Sequence, residues 1–200
     1  MIQLYGVPMS RALRSIWAIE EVGVEYELVP TNFLEDSKQS EYLEINPNGR
    51  IPTLVDGDVT LFESMAINLY LARKYDGGLQ PKSPDDEARA VQWSFWGMSE
   101  IEPPLMDMVR HKVMLPEAQR DADTVKAAEA AIQKPLRVLD DALAERPFLL
   151  GDAFTIADLN VASVLSMAQF VGFDFSSFAK VQRWYDAGTS RPAFARARSR

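Results

Sequence analysis

Asn46–Ser64 reads NPNGRIPTLVDGDVTLFES. Asn46 to Gly49 has turn composition, Ile51 to Val55 is a β-compatible run with proline near its start, and Asp56-Gly57 is a tight-hairpin dipeptide. Val59 and Leu61 mark the returning strand, and Ser64 stands where a helix should start. Turn, strand, hairpin, strand and helix in so short a span predict an antiparallel β-ribbon closed by a helix. Upstream, Lys38 to Ile45 is read as a short helix, Thr31 to Ser37 as a polar loop and Glu25 to Pro30 (EYELVP) as an alternating strand. Leu13, Ile16, Trp17, Ile19 and Val22 recur at helical spacing up to Gly23, and Ile2 to Tyr5 is a short apolar strand ending at Gly6 and Pro8. The first 76 residues therefore read βαβαββα.

Downstream the pattern changes. Asp76 to Asp85 (DGGLQPKSPD) is rich in turn residues and is read as an interdomain linker over 77–85. The rest, 86–200, shows helical periodicity near 86–113, 118–145, 155–171 and 178–189, with one short helix after that. An all-helical second domain is the expectation, with Pro103-Pro104 kinking or breaking its first helix. Thr155 followed by Asp158 is a capping-box variant with Phe154 and Leu159 as a hydrophobic staple, and it reads as structural.

Composition narrows the chemistry. An apolar content of 47% over 200 residues suffices for a buried core, and a formal charge of -8 argues against nucleic acid and anionic membrane surfaces as partners. The start MIQLYGV has no secretory pattern and no segment has the apolar length of a membrane span, so a cytoplasmic protein is expected. Without cysteine there is no disulfide and no protein thiol for nucleophilic or redox work. His111 stands alone, which disfavours a Ser-His-Asp triad and multi-histidine metal sites and suits a helix surface residue. Arg191, Arg196, Arg198 and Arg200 gather near residue 200 and read as a solvated helix end.

The order of NPNGRIPTL (Asn46–Leu54), LFES (Leu61–Ser64) and GDAFTIADL (Gly151–Leu159) resembles the cytosolic glutathione S-transferases along the whole chain, in a bacterial-like, serine-type (theta-like) form. The resemblance implies an α/β thioredoxin-like N-terminal domain (βαβαββα) followed by an all-α helical-bundle C-terminal domain. It implies glutathione as co-substrate, no metal, a small apolar electrophile as second substrate, a role in detoxification, and a homodimer. Pro52 matches the family's cis-proline, although only about 5–6% of X-Pro bonds are cis in general. Ile51 would then offer its N–H and C=O to the cysteinyl backbone of glutathione, as an added strand does. Glu63 and Ser64 match the γ-glutamyl site, Glu63 accepting from the α-ammonium and Ser64 holding the α-carboxylate while capping the helix that follows. Arg50, where many relatives carry lysine, would meet the glycyl carboxylate; a surface arginine in a turn is the alternative.

Ser10 follows the first strand where serine-type members place the hydroxyl that donates to the glutathione sulfur. A free thiol titrates at about 8.5, so a hydroxyl donor beside a positive helix end raises the thiolate fraction at neutral pH. Ser10 also reads as a plain N-cap, and Tyr5, at the end of the same strand, is the second catalytic candidate. Met9 and Met106 are expected to contact the apolar substrate between the domains, with Trp93 and Trp96 packing inside the bundle. Two further readings stay open: a non-catalytic glutathione-binding or interaction module, and a glutathione-dependent peroxidase, isomerase or dehalogenase.

Overall fold

The computed structural model describes residues 1–200. Strands β1 (Ile2–Tyr5), β2 (Tyr26–Val29), β3 (Thr53–Asp56) and β4 (Val59–Phe62) form one sheet in the order β2-β1-β3-β4. The first pair is parallel and the other two are antiparallel. Helices α1 (Ala12–Val22), α2 (Ser40–Ile45) and α3 (Ser64–Tyr75) join them, giving the expected thioredoxin-like βαβαββα order. The register sets Tyr5 of β1 opposite Thr53 of β3, and Thr53 opposite Phe62 of β4. The end of β1, the start of β3 and the end of β4 thus share one edge of the sheet, so residues 6–11, 46–52 and 63–64 all leave from it.

Period-2 alternation buries Ile2 and Leu4 on one face of β1 and leaves Gln3 and Tyr5 on the other. Leu54, Ile16, Ile19, Ile67 and Leu71 complete a fully buried core in which α1 packs on α3. Asp56 ties the hairpin to α3 by accepting from Tyr70 (2.9 Å), Lys74 (2.7 Å) and Tyr75 (2.7 Å).

Two compact units emerge: Met1–Gln80 together with Ser190–Arg200, and Pro81–Thr189. The last eleven residues were expected with the helical domain; instead helix α11 (Pro192–Arg198) packs on α1. The reason is apolar and electrostatic. Phe194 lies against Trp17 with ring centroids 4.6 Å apart, and Ala193 and Ala197 are buried beside it. Glu20 and Glu21, on the same helix, keep only 6% side-chain exposure, and a buried carboxylate needs partners. Arg191 binds both oxygens of Glu21 (2.7 and 2.8 Å), while Arg196 (2.8 Å), Arg200 (2.7 Å) and the Tyr26 hydroxyl (2.9 Å) converge on Glu20. The arginine cluster is therefore not a solvated helix end. Three of its members fasten α11, and Arg198 sits over the Phe194 ring at 5.8 Å.

The second unit is all-helical, from α4 (Pro84–Trp96) and α5 (Glu102–Val109) through α6 (Ala122–Ala131), α7 (Gln133–Ala142), α8 (Ile156–Leu165) and α9 (Ala168–Val171) to α10 (Ala179–Thr189). Pro103-Pro104 does not break the first helix. The chain passes through a π-turn at Gly97–Ile101, in which the Glu102 N–H reaches back to the Gly97 carbonyl, and α5 continues from there. The expected single helix over 118–145 is interrupted at Ile132, because Pro135 has no N–H to continue the α6 ladder and sits instead in the first turn of α7. The capping box forms as read, Thr155 and Asp158 bonding reciprocally at the start of α8, every residue of which is buried. His111 is half-buried, and its Nδ1 accepts from the Asp121 N–H at 3.1 Å. No helix is long and apolar enough to cross a membrane.

Candidate active site

Three loops at one sheet edge carry most of the predicted residues. The first runs from Gly6 to Arg11. A Cβ at Gly6 would lie 2.4 Å from the Ala12 Cβ, so only glycine lets the end of β1 pass so close to α1. Half-buried Ser10 donates its hydroxyl proton to the Val7 carbonyl (2.7 Å) and accepts from the Ala12 N–H (3.0 Å). Its own carbonyl accepts from the Leu13 N–H at 3.1 Å, so Ser10 organises the entry to α1, while Arg11 occupies the N-cap position and its side chain does not cap the helix. Met9, beside it, is 74% exposed. Tyr5 donates its phenol proton to the side-chain amide oxygen (Oε1) of Gln3 at 3.3 Å and packs its ring edge-on against Tyr42 at 5.8 Å.

The second loop contains the Ile51-Pro52 peptide bond, which is cis. Gly49, at φ 59°, closes the turn after Asn46, and a Cβ there would meet the Ser37 carbonyl at 2.9 Å. The Arg50 side chain is exposed, while its carbonyl is held from inside by the Tyr42 hydroxyl (2.7 Å) and the Asn46 amide (2.8 Å). Lys38 brings its ammonium onto the Gly49 carbonyl, next to Arg50. Sequence reading passed over Lys38; its only trace was a basic residue one short helix ahead of the NPNG turn.

In the third segment Glu63 adopts φ 71° and ψ 113°, a region that costs a non-glycine residue of order 1–3 kcal/mol and that surrounding structure must impose. Ser64 was expected to cap α3. Instead Glu63 holds the N-cap position, its carbonyl taking the Ile67 N–H at 3.0 Å, and Ser64 is the first helical residue, 5% exposed. The pair thus puts an exposed carboxylate and a hydroxyl at the positive end of a three-turn helix.

The fold brings Ser10, Arg50, Ile51, Pro52, Glu63 and Ser64 to this edge of the first unit. Met106 belongs to the second unit, half-buried on α5, and Trp93 and Trp96, expected to pack inside the bundle, pack edge to face on each other at 4.9 Å and are half-buried.

The family model for the glutathione S-transferase N-terminal domain matches residues 1–73, and that for the glutathione S-transferase C-terminal domain matches residues 101–192. The chain belongs to the glutathione S-transferase family. Glutathione S-transferase 3 of Zea mays is 33% identical over 202 residues, covering 96% of this chain and 91% of the relative. A glutathione S-transferase of Hyoscyamus muticus is 34% identical over 209 residues, covering 98% and 97%. Among solved structures, the theta-class glutathione S-transferase of the citrus canker pathogen Xanthomonas axonopodis pv. citri, with glutathione bound, superposes at a TM-score of 0.90 with 32% identity, over 98% of this chain and 96% of that one. Glutathione S-transferase-I bound with lactoylglutathione gives the same TM-score at 30% identity, over 99% and 98%. Arg196 and Arg200, which fasten α11, lie beyond the C-terminal family match.

Proposed function

We propose that this glutathione S-transferase is of the serine type, theta-like in its site, and conjugates the thiolate of glutathione to small apolar electrophiles. The observation that carries the reading is the convergence of Ser10, the cis Ile51-Pro52 bond and the Glu63-Ser64 pair on one sheet edge. Glu63 accepts from the ligand's α-ammonium, and Ser64 with the N-terminus of α3 takes the α-carboxylate. Ile51 pairs through its backbone with the cysteinyl residue. Arg50, joined by Lys38, meets the glycyl carboxylate through charge-assisted hydrogen bonds. Ser10 donates to the sulfur. Its proton rests on the Val7 carbonyl, so donation requires only rotation about the Cβ–Oγ bond, which leaves the oxygen where it is and able to keep accepting from the Ala12 N–H. Tyr5 is the weaker candidate because its phenol is directed at Gln3. Met9 and Met106 are the proposed apolar contacts of the electrophile. A cytoplasmic homodimer acting in detoxification completes the reading.

One observation favours a second reading. The 2.7 Å bond from Ser10 to Val7 already uses the hydroxyl proton, as it would in a glutathione-binding module without chemistry. Conjugation of glutathione to chlorodinitrobenzene over about pH 6 to 9, with cumene hydroperoxide as a parallel substrate, separates the two. Turnover by wild type, lost in Ser10→Ala with glutathione binding retained and Tyr5→Phe near normal, is the expected result. Binding without turnover of either substrate selects the module; peroxide turnover alone selects the peroxidase.

A further inference from the structure

Behind the second loop lies a closed ring of hydrogen bonds among buried groups: Tyr42 is 6% exposed, Asn46 1% and Thr53 0%. Its proton directions follow from valence. The two amide hydrogens of Asn46 go to the Arg50 carbonyl (2.8 Å) and to Thr53 Oγ1 (3.0 Å). The Tyr42 hydroxyl has one hydrogen and gives it to the Arg50 carbonyl at 2.7 Å, so in the 2.7 Å contact between Tyr42 and Thr53 the threonine is the donor. Burial pushes the Tyr42 phenol up from its ordinary range, which keeps it a donor at physiological pH. Every polar hydrogen of the three side chains is used, and two of the four bonds end on one oxygen, the Arg50 carbonyl.

That oxygen belongs to the planar Arg50–Ile51 peptide, in which the C=O and the N–H point in opposite directions. Pinning the Arg50 carbonyl toward α2 aims the Ile51 N–H away from it. No hydrogen bond within the protein uses that N–H, and it is the group through which the proposed glutathione reading pairs Ile51 with the ligand. We propose that Tyr42, ordered by Thr53 and Asn46, is a positioning residue for glutathione: it fixes the direction of the Ile51 N–H and so sets affinity for the peptide without taking part in thiolate chemistry. The inference rests on the reading under Proposed function. It also gives Tyr5 a task, since its ring packs edge-on against Tyr42 and braces it.

The test compares wild type, Tyr42→Phe, Thr53→Val and Thr53→Ser by calorimetric titration with glutathione and with S-methylglutathione, together with steady-state kinetics and thermal unfolding. Tyr42→Phe and Thr53→Val each remove two of the four ring hydrogen bonds and should raise the Kd and KM for glutathione at least about fivefold. S-methylglutathione, which has no thiol, should weaken by the same factor. The kcat at saturating glutathione and the pH midpoint of kcat should not move, and Thr53→Ser, which restores the hydroxyl, should recover the affinity. Unchanged Kd in both loss variants, with or without a fall in Tm, overturns the proposal, as does a shifted kcat or pH midpoint. If Tyr42→Phe does not fold, Thr53→Val decides alone. Wild type that fails to bind glutathione overturns the proposed function and this inference together, whereas binding that the variants leave untouched overturns only the inference.

Discussion

Ser10 has two tasks that a single substitution confounds. Its oxygen satisfies the Ala12 N–H at the entry to α1, and in the proposed mechanism its proton serves the thiolate. Ser10→Ala removes both, so it should lower stability by about 0.5–2 kcal/mol, the range of a lost cap, as well as activity. Ser10→Asp keeps an acceptor for the Ala12 N–H but has no hydroxyl to donate, so its denaturation midpoint should return toward wild type while turnover stays lost. If Ser10→Asp recovers conjugation, the hydroxyl is not the thiolate donor. Glu63 shows the same overlap of structure and proposed function: a strained backbone at the head of α3 keeps its carboxylate exposed beside Ser64.

At the level of elements, the start of α8 is the most tightly specified helix end in the second unit. Asp158 was read as one half of a capping box. Its two oxygens in fact accept from the Leu149 N–H (2.7 Å), the Trp184 indole (2.8 Å), the Thr155 N–H (2.9 Å) and the Thr155 hydroxyl (3.1 Å), all in a fully buried setting. Asp158→Ala orphans several buried donors, each costing about 1–3 kcal/mol, so urea denaturation should show a loss of at least about 3 kcal/mol. A loss below about 1 kcal/mol would mean that water replaces the carboxylate. The π-turn before Pro103 teaches a related lesson: proline removes an N–H, and the helix answered by shifting its register rather than by ending.

At the scale of the whole molecule, the chain leaves the first unit after Gln80, builds the second through Thr189 and returns to the first for its last eleven residues. The returning segment is held by Glu20. Burial pushes that carboxyl up, but hydrogen bonds from Arg196, Arg200 and Tyr26 outweigh burial and hold it below the ordinary glutamate range. A depressed carboxyl contributes stability that is present above its unfolded pKa of about 4.3 and is lost as pH falls through the folded value. Acid should therefore loosen α11 below about pH 4.3, detectable as a rise in Trp17 exposure by fluorescence. Glu20→Gln should weaken the segment already at neutral pH, by about 1–3 kcal/mol, and flatten the acid dependence. An unchanged acid transition in Glu20→Gln would assign it to another carboxylate.

The amino-acid sequence by itself determined what local rules govern. The βαβαββα order, the hairpin at Asp56-Gly57 and the Thr155–Asp158 box were legible because turn, strand and cap signals act within a few residues, whereas the cis bond before Pro52 followed from the family resemblance alone. The predicted site residues were named from the family resemblance that short motifs such as Asn46–Leu54 and Leu61–Ser64 carry. Where the Ser10 proton points, that Ser64 follows the cap rather than forming it, that Lys38 reaches Gly49, and that three arginines find Glu20 and Glu21 were decided only by the tertiary structure. Those outcomes depend on which groups burial deprives of water, and the partners that then satisfy them can lie as far apart in the chain as Glu20 and Arg200.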